Sequence, residues 1–577
     1  MREPLRHLFS GSTPRVDTAP ALEAYVRSYN DTPHLPGHLR VADLERHHGG
    51  FASSLHRGAQ ACEPDVSAFL YAALRLPDCV DQMDRVLIGP SEEVFAAAGH
   101  PDVAAWNRVQ SRSRRRRYHL DGRGTLAVFA TSLTDLDDLV PSLCAFQIEW
   151  NKMHRLLARG LPNAARTGAD ASVPASGEDI RHSLGLNRAD WDLLRQVWDQ
   201  DWTRKISAMS RAPLDLRIER LPLHARYFEE AAEQWWDLVS RRFDLDSATD
   251  RPIYLVSSNT HGLANLISGF AADHESDLAG FLRDEDPEGL DRTWREAVRD
   301  PDRNRSDLLY YALRHYLVRH PEANAARTAC EESAGLSRFL PTQYPHLEAQ
   351  KIELNRLDPA RLDSRLSLPR ALSRSRACIL NLDYPLGLAA GHLLSDALRR
   401  FPRLRGVFIL GKSAATIGRL GDILVPCEVH DRHTETRYRF PNRLGIRRLT
   451  PYLNRIAAFD DQKSVTVRGT FLHGRETSAP LIRDDFTGME MEAGPYLNAL
   501  YRHFAGCPPA PRAILDLPLP SGFSLGLLHY TSDTPYNVRP SLLSARLGIA
   551  GLEAAYASTL AILQCILDLA AGEARSV

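Results

Sequence analysis

The stretch that decides the fold is ACILNLDYPLGLAAGHLLSDALRRFPRLRGVFILG, residues 377–411. Its two ends, 377–385 and 405–411, are short apolar runs typical of buried strands, and 386–401 between them has the periodicity of an amphipathic helix. A strand–helix–strand order with buried strands predicts a mostly parallel sheet with helices on both faces. In such sheets the functional residues are expected directly after the strands, at the carboxyl edge.

The same alternation extends in both directions from this stretch. Further strands are predicted at GDILVP (421–426), SVTVRGTFLHG (464–474) and GFSLGLLHYTSD (522–533), and a closing helix at 552–572. Upstream, RPIYLVS (251–257) is a β-rich run followed by a helical pattern. We therefore predict an α/β domain over residues 251–577, with a charged, mostly helical insertion at about 275–372.

Residues 1–245 are predicted to form a separate all-helical domain. Trp191, Leu194, Trp198 and Trp202 recur at helical spacing on one face. The polar segment DLDSATDRP (244–252) marks the predicted domain boundary. The run SRSRRRR (111–117) is compatible with a surface loop or with contacts to phosphate groups.

Composition limits the function classes. The 71 basic and 72 acidic residues give a formal net charge of −1, which disfavours a general nucleic-acid binder or membrane-surface binder. The eight cysteines are far apart, without a CxxC pair, so neither a disulfide framework nor a structural zinc site is expected. The first residues lack an apolar signal region, and we expect a cytoplasmic protein.

Four predicted strand ends carry residues suited to chemistry: Gly411-Lys412-Ser413, Phe471, Glu490-Met491-Glu492 and Ser532-Asp533. Each also has an ordinary structural explanation, such as turn formation or a carboxylate at a helix start. The segment GVFILGKS (406–413) formally matches a P-loop. A P-loop is nevertheless disfavoured, because the residues between its glycines form the apolar strand itself.

The order of these segments resembles that of the nucleoside phosphorylase/nucleosidase superfamily. It is similar in particular to methylthioadenosine/S-adenosylhomocysteine nucleosidases and AMP nucleosidases, over about residues 251–270 and 376–570. The resemblance rests on G-D-I-L-V-P, on E-M-E-A at 490–493 and on a strand ending in Ser532-Asp533. It implies a phosphorylase/hydrolase-like mixed, mostly parallel sheet flanked by helices, and purine N-glycosidic bond cleavage as the activity.

The resemblance also implies two catalytic residues. Asp533 would donate a proton to N7 of the purine, with Ser532 orienting it. Glu492 would accept hydrogen bonds from the ribose hydroxyls. An acid on the leaving base and a carboxylate beside the developing cation suit this reaction, in which the ribose becomes an oxocarbenium ion.

The remaining residues would bind substrate. Met491 would pack on the sugar face, Glu490 would lie near the attacking water or the ribose, and Phe471 would stack on the base. Gly411, Lys412 and Ser413 would surround the nucleophile or an anionic group. The chain departs from the family here, because its LGKSAA (410–415) has fewer glycines than the family's TGSAGG and carries a lysine.

We therefore expect an enzyme that hydrolyses a purine nucleoside or nucleotide, forms a homo-oligomer and requires neither a metal nor another cofactor. The alternatives are a phosphorylase that uses inorganic phosphate as the attacking group, and a catalytically silent nucleotide-sensing module. Lys412 favours an anionic substrate such as a nucleotide over a neutral nucleoside.

Overall fold

Two β-sheets organise the protein, one in each half of the chain. The computed structural model describes residues 18–30, 38–160, 176–224, 226–245, 251–300, 305–341, 345–474, 483–533 and 547–576. These ranges contain a six-stranded sheet and an eleven-stranded sheet, with helices packed around both. The predicted α/β class is confirmed at this level.

The strands are β1 Leu39–Arg40, β2 Arg85–Gly89, β3 Asn107–Val109, β4 Arg117–Leu120, β5 Thr125–Phe129, β6 Arg217–Arg220, β7 Ile253–Ser258, β8 Leu336–Phe339, β9 Ala349–Glu353, β10 Cys378–Asp383, β11 Leu404–Ala415, β12 Ile423–Asp431, β13 Thr436–Arg439, β14 Ala458–Thr466, β15 Phe486–Glu490, β16 Ile514–Asp516 and β17 Ser524–Asp533.

The helices are α1 Thr18–Asn30, α2 Val41–Phe51, α3 Val66–Ala73, α4 Glu92–Ala97, α5 Leu133–Gly160, α6 Gly177–Ser183, α7 Arg188–Trp198, α8 Trp202–Arg211, α9 Tyr227–Phe243, α10 Gly262–Ser268, α11 Phe270–Asp273, α12 Glu275–Glu285, α13 Leu290–Arg299, α14 Arg305–Arg319, α15 Ala323–Ser333, α16 Leu388–Arg400, α17 Ile446–Leu449, α18 Ala493–Ala505 and α19 Leu547–Ser576.

The N-terminal half is not all-helical, contrary to the sequence-based prediction. Strands β1 to β6 form one sheet in the order β1-β6-β2-β5-β4-β3. Its central strands, RVLIG in β2 and TLAVF in β5, are five residues long and apolar after the first residue. Periodicity does not distinguish so short a run from a buried helical segment, which explains why the sheet was not predicted.

The C-terminal sheet has the order β16-β13-β12-β14-β15-β11-β7-β10-β9-β8, and β17 pairs with both β11 and β12. Strands β11, β17, β12, β14 and β15 thus close into a ring. The sheet is mixed, as predicted. Among the described strands, six pairings are parallel, including those that join β10, β7, β11 and β17, and five are antiparallel, including β15 with β11 and β12 with β17.

Helices cover both faces of this sheet, as its continuously apolar strands predicted. Ile253 and Leu255 of β7 pack in one core with α9, α16 and α18. Tyr254 and Val256 of the same strand pack in a second core with α10, the insertion helices and α19. Alternate residues of a strand point to opposite faces, so β7 is buried on both.

Helix α9 precedes the predicted domain boundary but packs on the C-terminal sheet. The indole N–H of Trp236 donates to the carbonyl of Leu393 at 2.9 Å, and that of Trp235 donates to the carbonyl of Leu347 at 3.2 Å. The insertion contributes helices α12 to α15, and then strands β8 and β9, which extend the sheet. The boundary between the N-terminal core and the core of the C-terminal sheet therefore lies before residue 227.

Helix α19 is apolar enough and long enough by composition to cross a membrane over Gly551–Ala574, but most of that segment is buried inside the protein. Its Tyr556 hydroxyl accepts a hydrogen bond from Asn265 at 2.7 Å. A helix at the centre of a folded core passes the same compositional test.

Candidate active site

The site is organised around Ala414, near the end of β11. Ala414 pairs with Met489 of β15 on one side and with Asp533 of β17 on the other. Neighbouring strands are about 4.8 Å apart, so the backbones of residues 489 and 533 are separated by roughly 10 Å at one end of the sheet. The segments predicted to carry the two catalytic carboxylates are thus brought together, although the side chain of Asp533 lies outside the described residues.

Glu490 is buried at the junction between β15 and α18. Its Oε2 accepts hydrogen bonds from the backbone N–H groups of Glu492 and Ala493, both at 2.6 Å, and its Oε1 accepts one from the Thr466 hydroxyl. Burial and repulsion by Glu492 raise the pKa of Glu490. These bonds hold the first turn of α18 and with it the backbone of Glu492.

Glu492 lies beside Glu490 but makes fewer bonds. Its Oε2 accepts one hydrogen bond from the Met491 N–H at 3.3 Å. Burial raises the pKa of Glu492, while the Arg114 guanidinium and the backbone N–H groups of Met491 and Gly387 act in the opposite direction. A carboxylate with spare lone pairs, next to donors that favour its charge, is suited to bind hydroxyl groups.

Met491 is buried among apolar side chains of β14 and β15, including Val465 and Phe486. Its sulfur is 4.0 Å from Nη2 of Arg114. The residue predicted to pack on the sugar therefore lies between Glu490 and Glu492, in contact with the N-terminal half.

Gly411, Lys412 and Ser413 lie within β11 and not in a loop after it, contrary to the sequence-based prediction. They pair with His529, Tyr530 and Thr531 of β17. The backbone of this segment takes part in strand pairing, because β11 and β17 both continue beyond the apolar core of the sheet.

The Ser413 hydroxyl is also occupied in structure. It accepts a hydrogen bond from the Met489 N–H at 2.8 Å and donates to backbone carbonyls. Between Ser413 and Ala414 the register with β17 shifts, so Ser532 is the extra residue opposite that step. A bulge of this kind turns the strand end that carries Asp533.

The side chain of Phe471 packs into the N-terminal core. Its side chain is 1% exposed, and its ring packs against Tyr71, His48 and His56 at centroid distances of 5.5, 6.0 and 6.4 Å. These partners belong to the N-terminal core, into which the segment after β14 inserts. Stacking on a base would require this packing to be lost, so we remove Phe471 from the candidate site.

The N-terminal half supplies residues that the sequence patterns did not assign to the site. Arg114 forms a two-point ion pair with buried Asp138 of α5 and contacts Met491. Arg115 pairs with Asp383, at the end of β10. The Thr134 hydroxyl accepts a hydrogen bond from the Leu388 N–H at 3.0 Å. The arginine run 111–117 was the only sequence signal for these contacts.

Tyr384 and His261 were also not singled out, although each follows a strand of the sheet. The Arg115 guanidinium lies 5.7 Å from the Tyr384 ring centre. Across the described ranges, no group of three or more His, Cys, Asp or Glu side chains has the arrangement of a metal site. The candidate site is thus a set of carboxylates, hydroxyls and cations at one end of the sheet.

Several solved structures are similar to part of this chain. A 5′-methylthioadenosine/S-adenosylhomocysteine nucleosidase of Neisseria meningitidis is 14% identical, with 43% of this chain and 94% of that chain covered and a TM-score of 0.28. An S-adenosylhomocysteine nucleosidase of Streptococcus pyogenes is 9% identical (54% and 96% covered, TM-score 0.29). A futalosine hydrolase mutant of Helicobacter pylori is 10% identical (55% and 98% covered, TM-score 0.29).

No curated protein matches the chain. One family model does, and it spans residues 41–568, which include both sheets and the candidate site. The chain therefore belongs to the family described as a family of unknown function, DUF6909.

Proposed function

We propose that this protein hydrolyses the N-glycosidic bond of a purine nucleoside or nucleotide and releases the base. The observation that carries the proposal is the pairing of Ala414 with Met489 on one side and Asp533 on the other. It brings the Glu490–Glu492 segment and the end of β17 to one edge of the sheet. The purine is an expectation from the sequence motifs.

Two carboxyl groups carried by strand ends on either side of β11 suit glycosidic cleavage. In glycoside hydrolases, which break the related O-glycosidic bonds, one carboxylic acid protonates the leaving group while the other carboxylate stabilises the sugar cation or activates water. Asp533 is assigned the first role and Glu492 the second. Water then attacks the anomeric carbon, so the products are the free base and the free sugar or sugar phosphate.

Burial raises the pKa of Glu492 to about 7, so part of the Glu492 population is ionised at neutral pH. Arg114 and two backbone N–H groups favour its carboxylate form against the effect of burial. A preorganised carboxylate beside the oxocarbenium ion stabilises positive charge that develops only in the transition state. Glu490 accepts hydrogen bonds from the first turn of α18 and so fixes where the backbone of Glu492 lies in the site.

The proposal is tested with the full chain in phosphate-free buffer, by chromatography of the bases released from purine nucleosides and nucleotides. We expect base release, and we expect Asp533→Asn to lower kcat by roughly 10²-fold or more. Glu492→Gln should show a comparable loss. Asp516→Asn, which changes an exposed acid on the edge strand β16, is the matched control and should keep full activity.

Two results would contradict the proposal. Base release that strictly requires added phosphate would identify a phosphorylase. Ligand binding without any turnover, unchanged by Asp533→Asn, would identify a nucleotide-sensing module. Circular dichroism spectra of each variant establish that a loss of activity is not a loss of folding.

A further inference from the structure

Four basic side chains from three parts of the chain lie around the ends of β7 and β11. They are Arg115 of the N-terminal half, His261 directly after β7, Arg314 on α14 of the insertion, and Lys412 of β11. We call these residues the cationic cluster. It lies at the same end of the sheet as Ala414 and the candidate catalytic segments.

Lys412 is exposed and extends over an aromatic ring. Its Nζ is 5.9 Å from the ring centre of Tyr530, the residue with which it pairs across β17. Loss of part of its hydration lowers the pKa of Lys412, and the positive charges of Arg115, Arg314 and Arg114 lower it further. Among the described residues, the charged groups that act most strongly on Lys412 are therefore cations.

Arg115 and Lys412 each lie over one of two neighbouring tyrosines, Tyr384 and Tyr530. The Arg115 guanidinium lies over the ring of Tyr384. Burial raises the pKa of Tyr530, and the nearby Tyr384 hydroxyl raises it further. The Arg115 side chain pairs with Asp383 but remains 63% exposed. Only Nη1 of Arg115 donates to Asp383, so its other N–H groups are available to a second acceptor.

The charges of the three other residues of the cationic cluster all act on His261. Burial lowers the pKa of His261 to about 3, and the charges of Arg314, Arg115, Arg338 and Lys412 contribute in that order. At neutral pH its imidazole is uncharged and can donate one hydrogen bond. Its backbone N–H is already used, since it donates to the side chain of Asn259 at 3.1 Å.

The other arginines near this end of the sheet have carboxylate partners, which sets Lys412 and Arg314 apart. Arg338 pairs with Glu331 and Glu348, and Arg114 pairs with Asp138. By contrast, no carboxylate of a described residue lies within ion-pair distance of Lys412 or Arg314. Two exposed cations that repel each other and lack an acid are costly in the free protein and suited to a bound anion.

We propose that the substrate carries a phosphoryl group and that Lys412, Arg314 and Arg115 bind it, with His261 as an uncharged donor. This inference rests on the proposed function and narrows its substrate to a nucleotide. A phosphate dianion accepts several charge-assisted hydrogen bonds at once, which matches cations converging from separate elements. The N-terminal half and the insertion then contribute directly to substrate binding.

The test compares matched ligands by isothermal titration calorimetry: ribose 5-phosphate with ribose, and each purine 5′-monophosphate with its nucleoside. We expect the wild-type protein to prefer the phosphorylated member of each pair. Lys412→Met and Arg314→Met should each raise the Kd for the phosphorylated member at least about tenfold and leave the Kd for the unphosphorylated member unchanged. Arg319 is an exposed arginine on the same helix α14, so Arg319→Met is the control and should change the Kd of neither ligand.

The outcomes separate this inference from the proposed function. Nucleoside hydrolysis with no preference for phosphate, and no effect of Lys412→Met, overturns the inference alone. Phosphate-dependent binding that requires Lys412 and Arg314, without any base release, supports the inference and contradicts the hydrolase. A requirement for inorganic phosphate that depends on Lys412 would make phosphate a second substrate and would also overturn the inference.

Discussion

Arg114 and Asp138 form a two-point ion pair in which Nε and Nη2 of the arginine each lie 2.7 Å from a carboxylate oxygen. Asp138 is buried near the start of α5, and Nη2 of Arg114 also lies 4.0 Å from the sulfur of Met491. The N-terminal half is therefore connected to the segment that carries Glu492. This contact links the charge state of the candidate site to a residue nearly four hundred positions upstream.

The first prediction concerns this contact. The Arg114 cation lowers the pKa of Glu492, so Arg114→Gln should raise that pKa and reduce the ionised fraction of Glu492 at a given pH. If Glu492 acts as a carboxylate, kcat/KM falls more at pH 7 than at pH 9, and the acidic limb of the pH profile moves to higher pH. The measurement is kcat/KM for base release across that range.

Arg112→Gln is the control for this variant, because Arg112 belongs to the same run but pairs with Asp78 on the surface. It should leave the profile unchanged. An equal loss of activity at every pH in Arg114→Gln would show a purely structural role for Arg114.

The second prediction concerns Gly411 in β11. A Cβ atom at this position would lie 2.9 Å from Cδ2 of the buried His529 ring. Gly411→Ala should therefore lower the free energy of unfolding by about 1–3 kcal/mol, measured by urea denaturation. Gly280→Ala in α12 meets no such neighbour and should stabilise the helix by roughly 0.5–1 kcal/mol. Similar effects at both positions would contradict the packing of His529 against β11.

The third prediction concerns the pH dependence of stability. Burial lowers the pKa of His529 to about 3, below the value of about 6.5 for the unfolded chain. Between these values the unfolded state binds a proton that the folded state does not, so stability falls as pH decreases. This residue contributes a loss of about 1.4 kcal/mol between pH 7.5 and pH 5.5.

Replacement of His529 by Asn should remove that part of the pH dependence, whatever its effect on stability at neutral pH. The measurement is the free energy of unfolding at both pH values. The control is His47→Asn, since His47 is exposed on α2. An unchanged difference between the two pH values in His529→Asn would refute the assignment.

The fourth prediction concerns Phe471, which packs in the N-terminal core. Phe471→Leu should lower the free energy of unfolding by roughly 1–2 kcal/mol, less than the 3–5 kcal/mol of a full truncation to alanine. Below the unfolding transition, KM for the substrate should stay at the wild-type value. A raised KM with unchanged stability would instead return Phe471 to the site.

The strands of the C-terminal sheet were predictable because each is a local apolar run between helical patterns. Strand β10, helix α16 and strand β11 lie where residues 377–411 placed them. The N-terminal sheet was missed because its strands are short and their burial depends on partners far away in the chain, such as β2 with β6. The ends of β11 and β17 were misjudged, because their pairing continues past the apolar core.

The sequence by itself determined that Glu490, Met491 and Glu492 follow a strand and open a helix, since that depends on a few neighbouring residues. Only the tertiary structure decided which charges surround them. Arg114, Arg115, Arg314 and Lys412 are scattered over three hundred residues, and no local pattern distinguishes an arginine with a carboxylate partner from one without. The partner of a charged side chain is set by the packing of distant elements, and the candidate phosphate site is a result of that packing.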